Sequence, residues 1–164
     1  MKKDSLYWDG YFMALSKVSA LRSKDPSTQV GACIVDKDKK VVGLGYNGMP
    51  KGIDDDTFPW DREASKPKDT KYPYVIHAEV NAIINAFGKT KGATLYTSLY
   101  PCSNCAKTIV QAGIDTVIYE SDKYHDTEDG EIARKILQSC NINCVQLEID
   151  TNVNVQVGEK MFKA

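Results

Sequence analysis

Apolar residues recur at steps of three and four positions in four stretches of the chain, a spacing that predicts amphipathic helices. The stretches begin near Trp8, Ala78, Pro101 and Ile132. Their apolar stripes are Tyr11, Phe12, Leu15, Val18 and Leu21; Val80, Ile83, Ile84 and Phe87; Ala106, Ile109 and Val110; and Ile132, Ala133, Ile136, Leu137 and Cys140. Since such stripes normally pack in the core, we expect these side chains to face inward.

Short segments rich in β-branched residues predict five strands, at 29–35, 41–46, 94–98, 116–119 and 144–147. A polar turn at 36–40 joins the first two as an antiparallel hairpin. The later alternation of helices and strands favours an α/β fold, a mixed sheet of about five strands with helices on both faces. The tail from Thr151 has apolar residues at alternate positions (Val153, Val155 and Val157), which predicts either a sixth strand or an oligomer contact.

The bulk properties limit the class of protein. A chain of 164 residues suffices for one domain, so we expect a single domain over 1–164 with 151–164 as its C-terminal tail. The net charge is −1, and Lys and Arg are scattered among nearly equal Asp and Glu, which argues against a nucleic-acid partner. No apolar run reaches the length of a membrane span, and residues 1–5 lack the apolar stretch of a signal peptide. We therefore expect no membrane partner and a cytoplasmic location.

The five cysteines favour free thiols and metal ligation over disulfides in such a reducing compartment. Cys33, Cys140 and Cys144 lie in predicted strands or on the inner face of a helix, where we expect small core side chains. Cys102 and Cys105 differ, because they stand three positions apart at the start of a predicted helix. Backbone N–H groups and the helix dipole favour thiolates there.

His77, Cys102 and Cys105 together make a set of zinc ligands, since a catalytic zinc takes three protein ligands and leaves the fourth position to water. Glu79 follows His77 by two residues, too differently directed to be a convenient fourth ligand but near enough to reach that water. Such a carboxylate suits general acid and base chemistry. We predict one catalytic Zn²⁺ per chain on these three residues, with Glu79 as the proton carrier.

Each half of this pattern alone is weak, because paired cysteines also occur in redox proteins and structural zinc sites. Both halves at the starts of helices in an α/β context indicate a zinc-dependent deaminase. Two alternatives stay open at this point. The first is a deaminase of a base within RNA or DNA, against which the balanced charge argues. The second is a non-catalytic zinc module, against which Glu79 argues, because a structural site has no use for an unliganded acid.

Several further segments carry a family resemblance. They are 22–26 (RSKDP), 29–33 (QVGAC), 45–50 (GYNGMP), 69–74 (DTKYPY) and 121–126 (SDKYHD). With the zinc motifs, they make most of the chain resemble the deoxycytidylate (dCMP) deaminases of the cytidine deaminase-like superfamily. The resemblance implies the three-layer α/β/α fold of that superfamily and hydrolysis of dCMP to dUMP and ammonia, which supplies the precursor of thymidylate. It also implies activation by dCTP, inhibition by dTTP, and a homo-oligomer that is a hexamer.

The resemblance also implies roles for residues outside the zinc site. Asn47 is expected to bind the deoxyribose, and Tyr124 to approach the nucleotide phosphate with cations such as Arg22 or Lys24. The loop 47–74 is expected to recognise effectors, with acidic residues approaching a Mg²⁺ that accompanies a bound dNTP. Residues 68–76 lack the extra histidine of relatives with a second zinc, so one zinc per chain is expected. Another cytosine nucleotide, such as dCTP, stays open as the substrate.

Overall fold

The computed structural model describes residues 4–164. The helices are α1 (Trp8–Ala20), α2 (Ala78–Asn85), α3 (Ser103–Gln111) and α4 (Glu128–Ser139). The strands are β1 (Gly31–Val35), β2 (Val41–Tyr46), β3 (Thr94–Leu99), β4 (Thr116–Ser121), β5 (Asn143–Gln146), β6 (Asn154–Val157) and β7 (Lys160–Lys163). A short 3₁₀ helix, Pro67–Asp69, interrupts the long loop between β2 and α2. The four predicted helices and five predicted strands are all present, with small shifts at their ends.

Five strands form one mixed sheet in the order β2-β1-β3-β4-β5. β1 pairs antiparallel with β2 and β3, whereas β3, β4 and β5 run parallel. Alternate residues of β1 point to opposite faces: Cys33 packs with Phe12 of α1, and Ile34 packs in the cluster that contains α2, α3 and α4. The predicted α/β class, with a five-stranded mixed sheet and helices on both faces, is therefore confirmed.

Small residues let two helices lie unusually close to the sheet. A methyl group added at Gly45 of β2 would lie 2.3 Å from the carbonyl oxygen of Ala78, so α2 rests directly on the strand backbone. On the other face, Ser16 of α1 donates a hydrogen bond to the carbonyl oxygen of Gly31, at 2.8 Å. These contacts are short because each side presents glycine, alanine or serine. The contact at Gly45 places the start of α2 against β2.

Several residues of the predicted stripes do not pack inward. Tyr11 and Val18 of α1 are each 41% exposed, and Ile84 and Phe87 at the end of α2 are 59% and 88% exposed. Cys140, predicted in the core, is exposed at the end of α4. The prediction of a buried position is wrong for these residues. On α1 and α2, small residues rather than large apolar ones make the closest contacts with the sheet. Cys33 is fully buried as predicted, and burial raises the pKa of its thiol to about 12.

The edge of the sheet at β2 is covered by side chains of α2. Asn81 Nδ2 donates to the carbonyl oxygen of Tyr46, and Asn85 Nδ2 donates to that of Leu44, both at 2.8 Å. Two outward-facing carbonyl groups of the edge strand thus have partners within the chain. Such groups otherwise offer a template for another strand.

The C-terminal residues form a separate hairpin of β6 and β7. The predicted strand at the tail is therefore present, but it pairs with β7 instead of joining the main sheet. Thr151 ties the tail to the body of the protein, since its backbone N–H donates to Glu120 Oε1 at 2.7 Å. The same Glu120 carboxylate pairs with Lys17 of α1 at 2.8 Å.

The cysteines at 33, 102, 105, 140 and 144 are all free. Across residues 4–164, no helix has the length and apolar character needed to cross a membrane.

Candidate active site

Two helix N-termini meet beside the sheet and bring the predicted zinc ligands together. His77 is the residue that precedes α2, Cys102 precedes α3, and Cys105 lies in the first turn of α3. His77 Nδ1 lies 3.3 Å from the Sγ of Cys102 and 3.3 Å from the Sγ of Cys105. All three ligand atoms lie within 4.8 Å of one another. A neutral imidazole and two thiolates at such distances suit a tetrahedral zinc with its fourth position open.

Hydrogen bonds among His77, Cys102 and Cys105 shift the pKa values of these three residues in different directions. The pKa of Cys102 falls to about 4, because its sulfur accepts hydrogen bonds from the Cys105 thiol and from His77. The pKa of Cys105 is raised well above its usual range by its hydrogen bond to Cys102 and by burial. The hydrogen bond to Cys102 raises the pKa of His77 to about 9. The cluster therefore carries a thiolate before any cation arrives, and a cation displaces the remaining protons.

Glu79 occupies the first turn of α2 and is only 4% exposed. Burial raises the pKa of this carboxyl group, and the nearby charge of His77 opposes that rise. A buried carboxyl group with a raised pKa can both accept and return a proton. Its place beside the ligand cluster is the one expected of a proton carrier.

One cavity of about 500 Å³ opens onto these residues. Its wall includes His77, Glu79 and Cys102, and also Asn47 and Tyr124. Pockets for small molecules have volumes of about 300–1,000 Å³, so the space suits a ligand of nucleotide size.

Asn47 is fixed in the cavity wall by its side chain. Its Oδ1 accepts a hydrogen bond from the backbone N–H of Val30 at 2.8 Å, and its Nδ2 donates to the carbonyl oxygen of Thr28 at 3.0 Å. Nδ2 also lies 3.2 Å from Asp25 Oδ2, which in turn pairs with Lys71 Nζ at 2.5 Å. The residue thus stabilises the local turns and faces the cavity at the same time.

The other predicted substrate-binding residues divide into two groups. Tyr124 lines the cavity. Arg22 and Lys24 are not among the residues that line it. Instead, the Arg22 guanidinium lies 6.0 Å from the ring centroid of Tyr46, and Lys24 Nζ pairs with Asp55 at 2.7 Å. The structure does not bring these two cations to the site.

Several polar residues of the cavity wall were not singled out from the sequence, among them Arg62, Lys71 and Asp129. Lys71 falls within the segment 69–74 that carried the family resemblance, so a signal existed for it. Arg62 lies in an irregular stretch, where no spacing rule applies. Asp129 accepts hydrogen bonds from the backbone N–H and hydroxyl of Ser103, at 3.1 and 2.5 Å, and so links α4 to the helix that carries both cysteines.

A His/Cys/Cys cluster with a buried glutamate, at two helix starts in an α/β/α fold, defines the class of zinc-dependent deaminases. The family model described as the cytidine and deoxycytidylate deaminase zinc-binding region matches residues 6–121. The chain belongs to this family of deaminases, and the ligand cluster fits its catalytic zinc.

Similar proteins carry more specific names. The chain is 47% identical to the human protein named deoxycytidylate deaminase, covering 98% of this chain and 95% of the human one. It is 54% identical to the mouse deoxycytidylate deaminase, covering 86% and 80%. Among solved structures, the dCMP deaminase of cyanophage S-TIM5 in complex with dCMP and dUMP matches with a TM-score of 0.60 and 26% identity, covering 85% and 93%. The apo form of that phage enzyme matches with a TM-score of 0.66 and 24% identity, covering 90% and 100%.

Proposed function

We propose that the protein catalyses hydrolytic deamination of dCMP to dUMP and ammonia. The observation that carries this proposal is the buried carboxyl group of Glu79 in the same cavity wall as His77 and Cys102. Deoxycytidylate deaminases from human and mouse, 47% and 54% identical over most of the chain, support the choice of substrate. The phage dCMP deaminase with dCMP and dUMP bound supports a mononucleotide pocket in this fold.

The chain's own residues supply proton transfer and orientation. His77, Cys102 and Cys105 would hold the zinc, which, when bound, supplies Lewis acidity to the attacking water. Glu79 takes one proton from that water as the water oxygen bonds to C4 of cytosine, and it passes this proton to N3. It then takes the second proton from the hydroxyl group now on C4 and passes it to the departing amine. Water is consumed, the C4–N bond breaks, and ammonia leaves. Burial suits Glu79 to this cycle, because a raised pKa lets the same group accept and return a proton.

Asn47 and Tyr124 are proposed to position the nucleotide. Asn47 is held by three hydrogen bonds within the protein that use both N–H groups of its amide. The second lone pair of its Oδ1 is left to accept a hydrogen bond from a deoxyribose hydroxyl. Tyr124 lies 38% exposed in the cavity wall and offers a ring and a hydroxyl to the more open part of the nucleotide. Family membership and this placement support both roles.

Regulation and assembly extend the proposal. By the same family resemblance, dCTP activates and dTTP inhibits, a Mg²⁺ accompanies the bound effector, and the chains assemble as a hexamer in the cytoplasm, where the product dUMP feeds thymidylate synthesis. Activity measured with each dNTP, with and without Mg²⁺, tests the effectors. Light scattering of the purified protein tests the assembly.

Ammonia release from dCMP, CMP, deoxycytidine and dCTP tests the reaction, with wild type and Glu79→Gln compared at measured zinc content. We expect dCMP to be the preferred substrate and the variant to lose about 10²- to 10⁴-fold in kcat while keeping its zinc. Turnover of dCTP but not of dCMP would mean that dCTP, not dCMP, is the substrate. Unchanged activity of the zinc-loaded variant would refute the role of Glu79. Activity on a base within RNA or DNA, falling steeply with salt, would favour a polynucleotide substrate.

A further inference from the structure

The cavity passes from a buried floor to an exposed rim. Glu79 on its floor is 4% exposed, whereas Tyr72 and Tyr124 on its wall are 56% and 38% exposed. Arg62, also exposed, belongs to the same wall. A nucleotide whose base reaches Glu79 must therefore leave its anionic end near this rim, where its charge stays partly hydrated.

Outside the zinc-ligand cluster, the wall contains two basic side chains, Lys71 and Arg62. Lys71 already has a partner, because its Nζ pairs with Asp25 at 2.5 Å and both side chains are buried. The other oxygen of that carboxylate, Asp25 Oδ1, accepts the backbone N–H groups of Ser27 and Thr28, at 2.8 and 3.1 Å. The charge of Lys71 is thus compensated within the protein, and its ammonium group is committed to the network that holds Asn47.

Arg62 is in the opposite situation. Its Nε donates to Tyr72 Oη at 3.2 Å, and no carboxylate in residues 4–164 lies within ion-pair distance of it. The two Nη groups of a guanidinium form a planar pair of donors that matches two phosphate oxygens. Tyr72 Oη accepts from Arg62, so its own O–H can donate in turn. A cation with uncommitted donors therefore stands beside a hydroxyl at the exposed rim of the catalytic cavity.

We propose that Arg62, with the Tyr72 hydroxyl, binds the 5′-phosphate of the substrate and so selects a nucleotide over the corresponding nucleoside. This inference rests on the proposed deamination of dCMP and names the specificity-determining residue of that site. It replaces the expectation that Arg22 or Lys24 binds the phosphate, since those cations lie over Tyr46 and against Asp55 instead.

The test compares dCMP with deoxycytidine, which differ only in the phosphate, for wild type, Arg62→Gln and Arg62→Lys. Lys66→Gln is the matched control, because it removes one positive charge from the same exposed loop at a residue outside the cavity wall. A charge-assisted hydrogen-bonding pair contributes enough for Arg62→Gln to lower kcat/KM for dCMP about 10- to 100-fold, chiefly through KM. Deoxycytidine turnover stays unchanged, the lysine variant recovers part of the loss, and the control behaves as wild type.

Calorimetric titration with dUMP and deoxyuridine separates this inference from the proposed reaction, because product binding does not require turnover. We expect Arg62→Gln to weaken dUMP and leave deoxyuridine unaffected. Equal losses on both ligands would show that Arg62 only supports the fold of the loop. No loss of binding for dUMP or deoxyuridine would show that the phosphate binds elsewhere. Equal losses and no loss would each overturn the inference. If wild type does not deaminate dCMP but Arg62→Gln selectively loses dUMP binding, the proposed reaction is refuted and the phosphate-binding role of Arg62 stands.

Discussion

Asp129 at the start of α4 accepts two hydrogen bonds from Ser103, the first residue of α3, at 2.5 Å from its hydroxyl and 3.1 Å from its backbone N–H. Ser103 directly follows Cys102, so the Asp129 carboxylate fixes the helix start that carries two zinc ligands. Residues that orient metal ligands in this way typically change the affinity for the metal by about 10- to 100-fold.

We therefore expect Asp129→Ala to weaken zinc binding by about 10- to 100-fold, measured by competition with a chromogenic chelator. Glu131→Ala is the control, because Glu131 is an exposed acid in the same first turn of α4. Equal zinc affinity of wild type and Asp129→Ala would show that α3 keeps its position without this link.

Zinc binding should release protons in a number that depends on pH. Near neutral pH, Cys102 with a pKa of about 4 is already a thiolate, whereas the Cys105 thiol and His77, with a pKa of about 9, are still protonated. Binding then releases about two protons, falling toward one as pH rises above the His77 value. Calorimetry in buffers of different ionisation enthalpy measures this count, and a constant count across that range would contradict the proton assignment.

The burial of Glu79 should lower the stability of the folded protein against unfolding as the pH rises. Its pKa in the folded protein is raised above the unfolded value, so the group favours folding when protonated, and this contribution is lost as pH rises through the folded pKa. Zinc-stripped Glu79→Gln should consequently unfold at a higher temperature than zinc-stripped wild type near neutral pH. The difference should shrink toward acidic pH. Thermal unfolding at several pH values checks this, and a wild type more stable than the variant at neutral pH would contradict it.

Two lysine–aspartate pairs offer a comparison of buried and exposed charge. The Lys71–Asp25 side chains are 9% and 2% exposed, whereas those of Lys24–Asp55 are 61% and 28% exposed. Lys71→Met leaves a buried carboxylate without its cation and should cost about 3–5 kcal/mol in the free energy of unfolding. Lys24→Met should cost far less, because water screens the charges of an exposed pair. Urea unfolding of both variants measures the difference, and equal effects would mean that Asp25 finds another partner or becomes hydrated.

The sequence predicted the zinc cluster well because its parts are local. His77 and the cysteine pair each stand at a helix start, and the apolar spacing located both helices. The inner faces of α1 and α2 were predicted less well, since hydrophobic periodicity detects large apolar side chains. The close contacts at Gly31 and Gly45 are made by small residues instead.

The polar wall of the cavity was the least predictable part. Arg62 and Lys71 lie in the stretch between β2 and α2, where the 3₁₀ helix at Pro67–Asp69 is the one regular helix or strand within the described residues. Their positions depend on long-range contacts such as the ion pair between Lys71 and Asp25, which are 46 residues apart. No periodicity encodes such a contact, and the expectation for Arg22 and Lys24 rested on the family resemblance alone.

The asparagines of α2 also limit how copies of this chain can associate. Asn81 and Asn85 occupy the carbonyl groups of Tyr46 and Leu44 that an incoming strand would need. A second copy therefore cannot extend the sheet by simple pairing along β2. Any assembly through this side of the molecule has to use side-chain contacts, for which the exposed Ile84 and Phe87 supply apolar surface.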